Sequence, residues 1–228
     1  MTIFHFALLR SLRKKSTLIT ILILPAAMIL IPPLWTEENA IGFSFFGITI
    51  LYGAFLLVRS IMTDRESRTI VRIFAAPVTT FQYLFQNLLG YLVLLMAQIL
   101  LFALVGSLLY GWQASIAGKL VLGYGLFAAV SIALSLAWNS LFRSSAISGG
   151  IFSVVVSVMA LLGGVFVPLS LLPDILQTIG MLFPTFWLSS ILMDITGGNP
   201  PFEFWVSGAV LALFTTAFLI FGSKRRLE

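Results

Sequence analysis

Cysteine is absent from the 228 residues, and histidine occurs once, at His5. The first absence excludes disulfide frameworks, thiolate redox centres, cysteine nucleophiles and zinc knuckles. The second excludes an HExxH metal site and any arrangement that needs two imidazoles. Charge is scarce too: 9% of the residues are Asp, Glu, Lys or Arg, against about a quarter in a water-soluble domain. What fills the chain instead is apolar, at 60% hydrophobic residues and a mean hydropathy of +1.09. Apolar runs of about 20 residues recur along it, the length a helix needs to cross about 30 Å of hydrocarbon. The net charge of +5 does not point to nucleic acid, because the basic residues flank apolar runs, where they meet lipid headgroups.

Six runs bounded by charge or turn residues are predicted as spans: Leu18 to Trp35, Ile41 to Met62, Leu88 to Tyr110, Leu120 to Phe142, Ala146 to Val167 and Phe202 to Gly222. Gly111-Trp112 and Gly118-Lys119 mark the third-to-fourth connection as a loop. Positively charged flanks are retained in the cytoplasm during insertion. One set of connections holds Arg10, Arg13, Lys14, Lys15, Arg59, Arg65, Arg68, Arg72, Arg143, Lys224, Arg225 and Arg226, and the other holds only Lys119. Both termini are therefore expected in the cytoplasm, with Glu37, Glu38, Asp174, Asp194 and Glu203 outside. Arg59, about three residues from the end of its span, can snorkel to the interface. The first span ends Ile31-Pro32-Pro33-Leu34-Trp35, without the small-x-small pattern of a cleaved signal, so it is expected to stay as a helix. Ahead of it, Phe4, Leu8 and Leu12 fall four apart, followed by a basic cluster, which suggests a helix over 1–17 lying in the inner headgroup layer.

The chemistry of catalysis is missing from these spans. Intramembrane hydrolysis needs a nucleophile with a base, paired aspartates or a metal within the bilayer, and neither Asp174, Asp194 nor His5 is placed for it. No GxxxxGK[ST] loop is present to cradle nucleotide phosphates. Mid-span polar groups are mild, namely Gln98, Ser131, Ser135, Ser153 and Ser157, so proton or sodium coupling is poorly supported. A driving force should come from a partner.

Two non-membrane pieces remain. The cytoplasmic one, within 63–80, reads Thr63-Asp64-Arg65-Glu66-Ser67-Arg68-Thr69-Ile70-Val71-Arg72-Ile73-Phe74-Ala75-Ala76-Pro77-Val78. Thr63 with Glu66 fits a capping box, Asp64 and Arg68 pair at i,i+4, and Pro77 stops the helix. A short helix parallel to the membrane is predicted, with Ile70, Ile73 and Phe74 on one face. That face is either a docking surface or packs on the chain's own spans. The outer piece, 168–201, alternates proline with apolar stretches too short to span, and reads as a re-entrant helical hairpin. Gly149, Ser153 and Ser157 form a small-residue stripe on the fifth span, equally suited to a dimer seam and to packing within one chain.

The first piece resembles the ERE-x-GT…(A/T)-P-(V/L) motif of type-2 ATP-binding-cassette (ABC) permeases, the membrane subunits of bacterial exporters. Asp64 takes the first acidic position, Arg65, Glu66 and Thr69 match, Ala76-Pro77-Val78 matches the tail, and Arg68 replaces the usual glycine. A second block, Gly163-Gly164-Val165-Phe166-Val167-Pro168, then Leu172-Pro173, then Phe183-Pro184-Thr185-Phe186-Trp187, is similar to the family's G-G-x-F-x-P…L-P…(N/F)-P-x-x-(Y/W). By contrast Ser148-Gly149-Gly150, which looks like the middle of the ABC ATPase signature, begins an apolar span and is read as helix packing.

The resemblance implies a single all-α membrane domain over 1–228, with six transmembrane helices, an interfacial entry helix, a coupling helix after the second span and an outer re-entrant hairpin. It implies a multi-pass subunit of the cytoplasmic membrane that exports an amphipathic drug, peptide, lipid or glycan. The partners implied are two ABC ATPase subunits, which carry the ATP and Mg, and a second, identical permease. The chain itself would hold no cofactor and catalyse nothing. ATPase docking would fall to Asp64, Arg65, Glu66, Arg68, Thr69, Arg72 and Phe74; the substrate path to Phe45, Thr49, Tyr52, Phe55, Ser153 and Ser157; and the outer gate to Phe166, Pro168, Pro184 and Trp187. Two other readings stay open: a six-helix carrier or channel acting alone, and a membrane anchor that recruits a soluble partner.

Overall fold

A computed structural model describes residues 2–13, 19, 23, 25–35, 41–66, 78–142, 144–197 and 200–224. Among them the regular structure is all helical: α1 (Thr2–Arg13), α2 (Ile41–Glu66), α3 (Thr80–Tyr110), α4 (Ala114–Leu141), α5 (Ser145–Leu162), α6 (Asp174–Gly180), α7 (Pro184–Ile195) and α8 (Phe204–Ser223). Five of these, α2 to α5 and α8, are long and apolar enough to cross a membrane, and α6 with α7 form a sixth apolar unit bent by 107°. The predicted second to sixth spans each correspond to one long helix. The first lies mostly outside the described residues; its described end is helical at 25–29 and closes in a 3-10 turn at Pro32–Leu34.

The helix ends differ from the expected ones for local reasons. Thr63 does not cap a new helix, because α2 runs through it to Glu66. No glycine or proline stands between Gly53 and Pro77, so nothing interrupts helix propagation there. The rest of the predicted coupling helix lies outside the described residues. α3 begins eight residues before Leu88, where Thr79 accepts from the Gln82 amide and the Gln82 side chain accepts from the Thr79 amide. That reciprocal cap satisfies two orphan donors and extends the helix to 31 residues, about 46 Å, well beyond the hydrocarbon core. Gly111 ends it in the left-handed conformation. α4 likewise starts at Ala114, so Lys119 sits on a helix.

α4 is the centre of the bundle. Within its most apolar stretch 67% of residues are buried, against 28% for α5 and α8, so the other helices wrap around it while those two keep most of their surface outward. Small residues make this possible: Ala128, Ser131, Ala133 and Ser135 are fully buried. The two serine hydroxyls donate to the carbonyls of Phe127 and Ser131 at 2.7 and 2.8 Å, which meets their hydrogen-bonding need within the helix.

α1 packs on α3 along Ala7 and Ser11, both buried, while Leu12 is exposed and Phe4 and Leu8 are half-buried. The Phe4-Leu8-Leu12 face is therefore not the packing seam. Gly90 on α3 is the reason: a Cβ there would stand 3.2 Å from that of Ala7 and 3.3 Å from the Phe4 carbonyl oxygen, so helix approach is closest along the small residues.

Candidate functional site

The fifth helix stops at Gly163-Gly164, five residues short of the expected Val167. Gly164 has φ +79°, a conformation that costs an L-residue about 1 to 2 kcal/mol, which accounts for glycine here. At the end of α5 the Met159 carbonyl accepts from the Gly163 amide at 2.8 Å, and α7 adds two further donors. The Thr185 hydroxyl donates to the Met159 carbonyl and the Ser189 hydroxyl to the Gly163 carbonyl, both at 2.6 Å. α7 is in turn held to α8 through Ser190, whose hydroxyl donates to the Phe202 carbonyl at 2.9 Å and accepts from Ser207 at 3.1 Å. Gly163 and Gly164 and the serine and threonine of α7 thus form one fastening for the hairpin.

This places the gate candidates in two groups. Pro184 and Trp187 are buried, with Trp187 packed on Phe186 and Phe202 and its indole N–H donating to the Met181 carbonyl. Phe166 and Pro168 are exposed. α6 and its flanks present Leu171, Ile175 and Leu182, each roughly 70% exposed or more, so the shorter arm of the hairpin presents an apolar surface that none of the described residues covers.

The path candidates form one face with a single exception. Phe45, Thr49 and Tyr52 on α2 are half-buried or exposed, as is Gly149, and Ser153 and Ser157 on α5 are exposed. Phe45 meets Phe166, in the turn after α5, at 6.0 Å between ring centroids, and Tyr52 meets the buried Phe152 of α5 edge-on at 6.3 Å, so α2 packs on α5 and its following turn beside this face. Phe55 does not reach it: the ring is buried and stacked on Phe152 at 4.1 Å. Ser153 and Ser157 donate to the carbonyls four residues back. In the Gly149-Ser153-Ser157 stripe the two serines are exposed, while Gly149 is half-buried beside Phe55 of the same chain. Ser148, by contrast, is buried and donates to the Asn139 side-chain oxygen at 2.8 Å, as helix packing at the start of α5 requires.

Charge separates by end. At the end shared by the C-termini of α2, α4 and α8, Arg59 donates to the Ser145 hydroxyl at 2.7 Å. At the opposite end Lys119 pairs with Asp194 at 3.2 Å. Of the docking candidates, Asp64, Arg65 and Glu66 lie on the last turn of α2; Arg68, Thr69, Arg72 and Phe74 lie outside the described residues.

One polar cluster was not anticipated. Arg10 on α1 donates to the Tyr91 hydroxyl at 2.7 Å and to the Asn87 oxygen at 3.5 Å, and the fully buried Tyr91 shares a hydrogen bond of 2.9 Å with Ser60 on α2. The cluster fastens α1 to both α3 and α2, six residues before Glu66. Its sequence signal is Tyr83, Asn87 and Tyr91, four apart along one side of a mostly apolar helix, a polar stripe that lipid would not tolerate uncovered.

These long apolar helices packed around a buried central one define a multi-pass membrane protein. Residues 36–224 match the family described as ABC-2 family transporter protein, and the chain belongs to that family as the membrane subunit of an ABC transporter. Membership implies association with an ABC ATPase partner. A comparison with curated proteins found no match.

Proposed function

We propose that two copies of this chain and two ATPase subunits form an exporter of the cytoplasmic membrane, with both termini inside, and that its substrate is amphipathic. The observation that carries this is the exposed α2–α5 face, which combines aromatic rings at Phe45, Tyr52 and Phe166 with hydroxyls at Thr49, Ser153 and Ser157. Two such faces opposed across a dimer axis would line a path suited to a molecule with an apolar body and a few polar groups. The Gly149-Ser153-Ser157 stripe would let the two copies approach.

Coupling follows from the continuity of α2. The helix is unbroken from Ile41 to Glu66, so a displacement of the segment after Glu66 by closing ATPases reaches Tyr52 and Phe45 as motion of one rod. ATP and Mg reside on the partner, and this chain supplies the docking residues Asp64, Arg65, Glu66, Arg68, Thr69, Arg72 and Phe74. The hairpin, fastened to α5 and α8, moves with the outer end of the path and closes it over Phe166 and Pro168.

The test uses the natural absence of cysteine. Ser153→Cys and Ser157→Cys should cross-link between copies in membranes, and cross-linking should stop ATP-driven substrate uptake into inside-out vesicles that hold the partner ATPase. Cross-links that form without loss of uptake, or an absence of cross-links in an active complex, would refute the path on this face.

A further inference from the structure

The outward residues of α2 follow one stripe. From Ile50 to Thr63 every residue is buried except Tyr52, Leu56, Arg59 and Thr63, which fall three or four apart and so stack along a single side of the helix. Thr49 and Phe45 continue the stripe toward the other end. Arg59 therefore stands on the α2–α5 face, about 10 Å of helix rise from Tyr52 and about 15 Å from Thr49. It is the only charged residue in 41–63 and 145–162, the stretches of the two helices that make the face. Its Nε donates to the Ser145 hydroxyl of α5 at 2.7 Å, which holds the guanidinium across the joint between the helices and not out toward headgroups. Among the described residues no carboxylate pairs with it. Its two terminal nitrogens are thus left as a forked donor edge, the edge that grips a carboxylate or phosphate end-on.

We propose that the cargo of this face carries an anionic group, a carboxylate or a phosphate, which Arg59 receives while the apolar body lies along Tyr52, Thr49 and Phe45; this rests on the reading of the face as the transport path. Opposing two copies across an axis brings two guanidiniums to the same end of the path, with no acidic side chain of 41–63 or 145–162 between them. Like charges held together in a medium less polar than water repel strongly, and an anion between them turns that repulsion into attraction. A cationic amphiphile would meet the opposite field and be turned away. An anionic lipid headgroup offers the same chemistry as a cargo anion, so the experiment separates the two.

The experiment uses Thr49→Cys, a thiol on the path in a chain with no other, in the nucleotide-free complex with the partner ATPase in phosphatidylcholine nanodiscs. Maleimide labelling of this chain is measured against pyrenehexanoate and its neutral amide, pyrenehexanamide. Because the two probes partition differently into lipid, the readout is the ratio of their protecting concentrations, compared with and without Arg59→Met. Removing the guanidinium should shift that ratio by about tenfold against the anion, the worth of one charge-assisted contact. Arg59→Lys, which keeps the charge, should retain a preference for the anion, and its loss there too would mark the effect as packing and overturn the proposal. The shift should persist in nanodiscs that also contain phosphatidylglycerol; its disappearance would assign Arg59 to a bilayer headgroup and overturn the assignment to cargo. Protection by both probes with a ratio that Arg59→Met leaves unchanged would overturn the anionic cargo and leave the path standing. Protection by neither probe would remove the path from this face, and the proposal with it.

Discussion

Replacing Tyr91 by Phe removes one oxygen and tests whether α1 is fastened to the bundle or merely lies beside it. The ring is fully buried and would stay in place, so no cavity opens. Two hydrogen bonds are lost, one from the Arg10 guanidinium and one shared with Ser60. A bond to a charged group contributes about 1.5 to 3 kcal/mol and a neutral one about 0.5 to 1.5, so destabilisation of about 2 to 4 kcal/mol is expected. Part of that belongs to Ser60, whose hydroxyl keeps its bond to the Leu57 carbonyl, which places the result toward the lower half of the range. The charged term is isolated by a double-mutant cycle of Tyr91→Phe with Arg10→Met, which keeps the aliphatic stem over α3. The coupling energy, read from reversible unfolding in mixed micelles, should be at least about 1.5 kcal/mol. Hydrogen bonds between transmembrane helices average about 0.6, so a coupling at or below that value would refute the claim that Arg10 clamps the entry helix.

The fold and the site were legible in the sequence to different depths. The second to sixth spans were readable because lipid demands long apolar runs, and each of these runs is one long helix. Span ends were not, since hydropathy says where a helix enters lipid and capping says where it stops. Thr79 and Gln82 extend α3 through polar residues, while Gly164 ends α5 inside an apolar run. The glycine pair and Pro184 were recognisable as a pattern, but their work, turning the chain so that Thr185 and Ser189 reach carbonyls at the end of α5, depends on contacts 26 residues apart. Path residues were harder still. Tyr52 and Phe55 are three apart on one helix and chemically alike, and only the stacking of Phe55 on Phe152 separates the buried ring from the outward one. Arg10 read as one more headgroup cation because its partner lies 81 positions away.

Two further outcomes follow from these contacts. Gly164→Ala forces a side chain into a left-handed backbone and sets its Cβ 2.5 Å from Leu169, so it should cost about 1 to 3 kcal/mol and lower the midpoint of thermal unfolding in detergent; an unchanged midpoint would mean that the hairpin turn is not held as described. The other concerns docking of the ATPase. Glu66→Ala and Phe74→Ala should leave insertion intact, since neither residue supports a span, yet reduce ATPase co-purification by removing a charge partner and an apolar anchor. Glu66→Lys should be worse than Glu66→Ala, because a basic surface on the partner would then be repelled and not merely left unpaired. Glu38→Gln, on the opposite side of the membrane in the proposed orientation, is the control and should change neither. Because α2 continues to Glu66 without a break, a docking defect there should also lower substrate-stimulated ATP hydrolysis in the complexes that still form. Normal co-purification and normal stimulation in all three docking variants would place the segment after α2 against its own subunit and remove it from the coupling path.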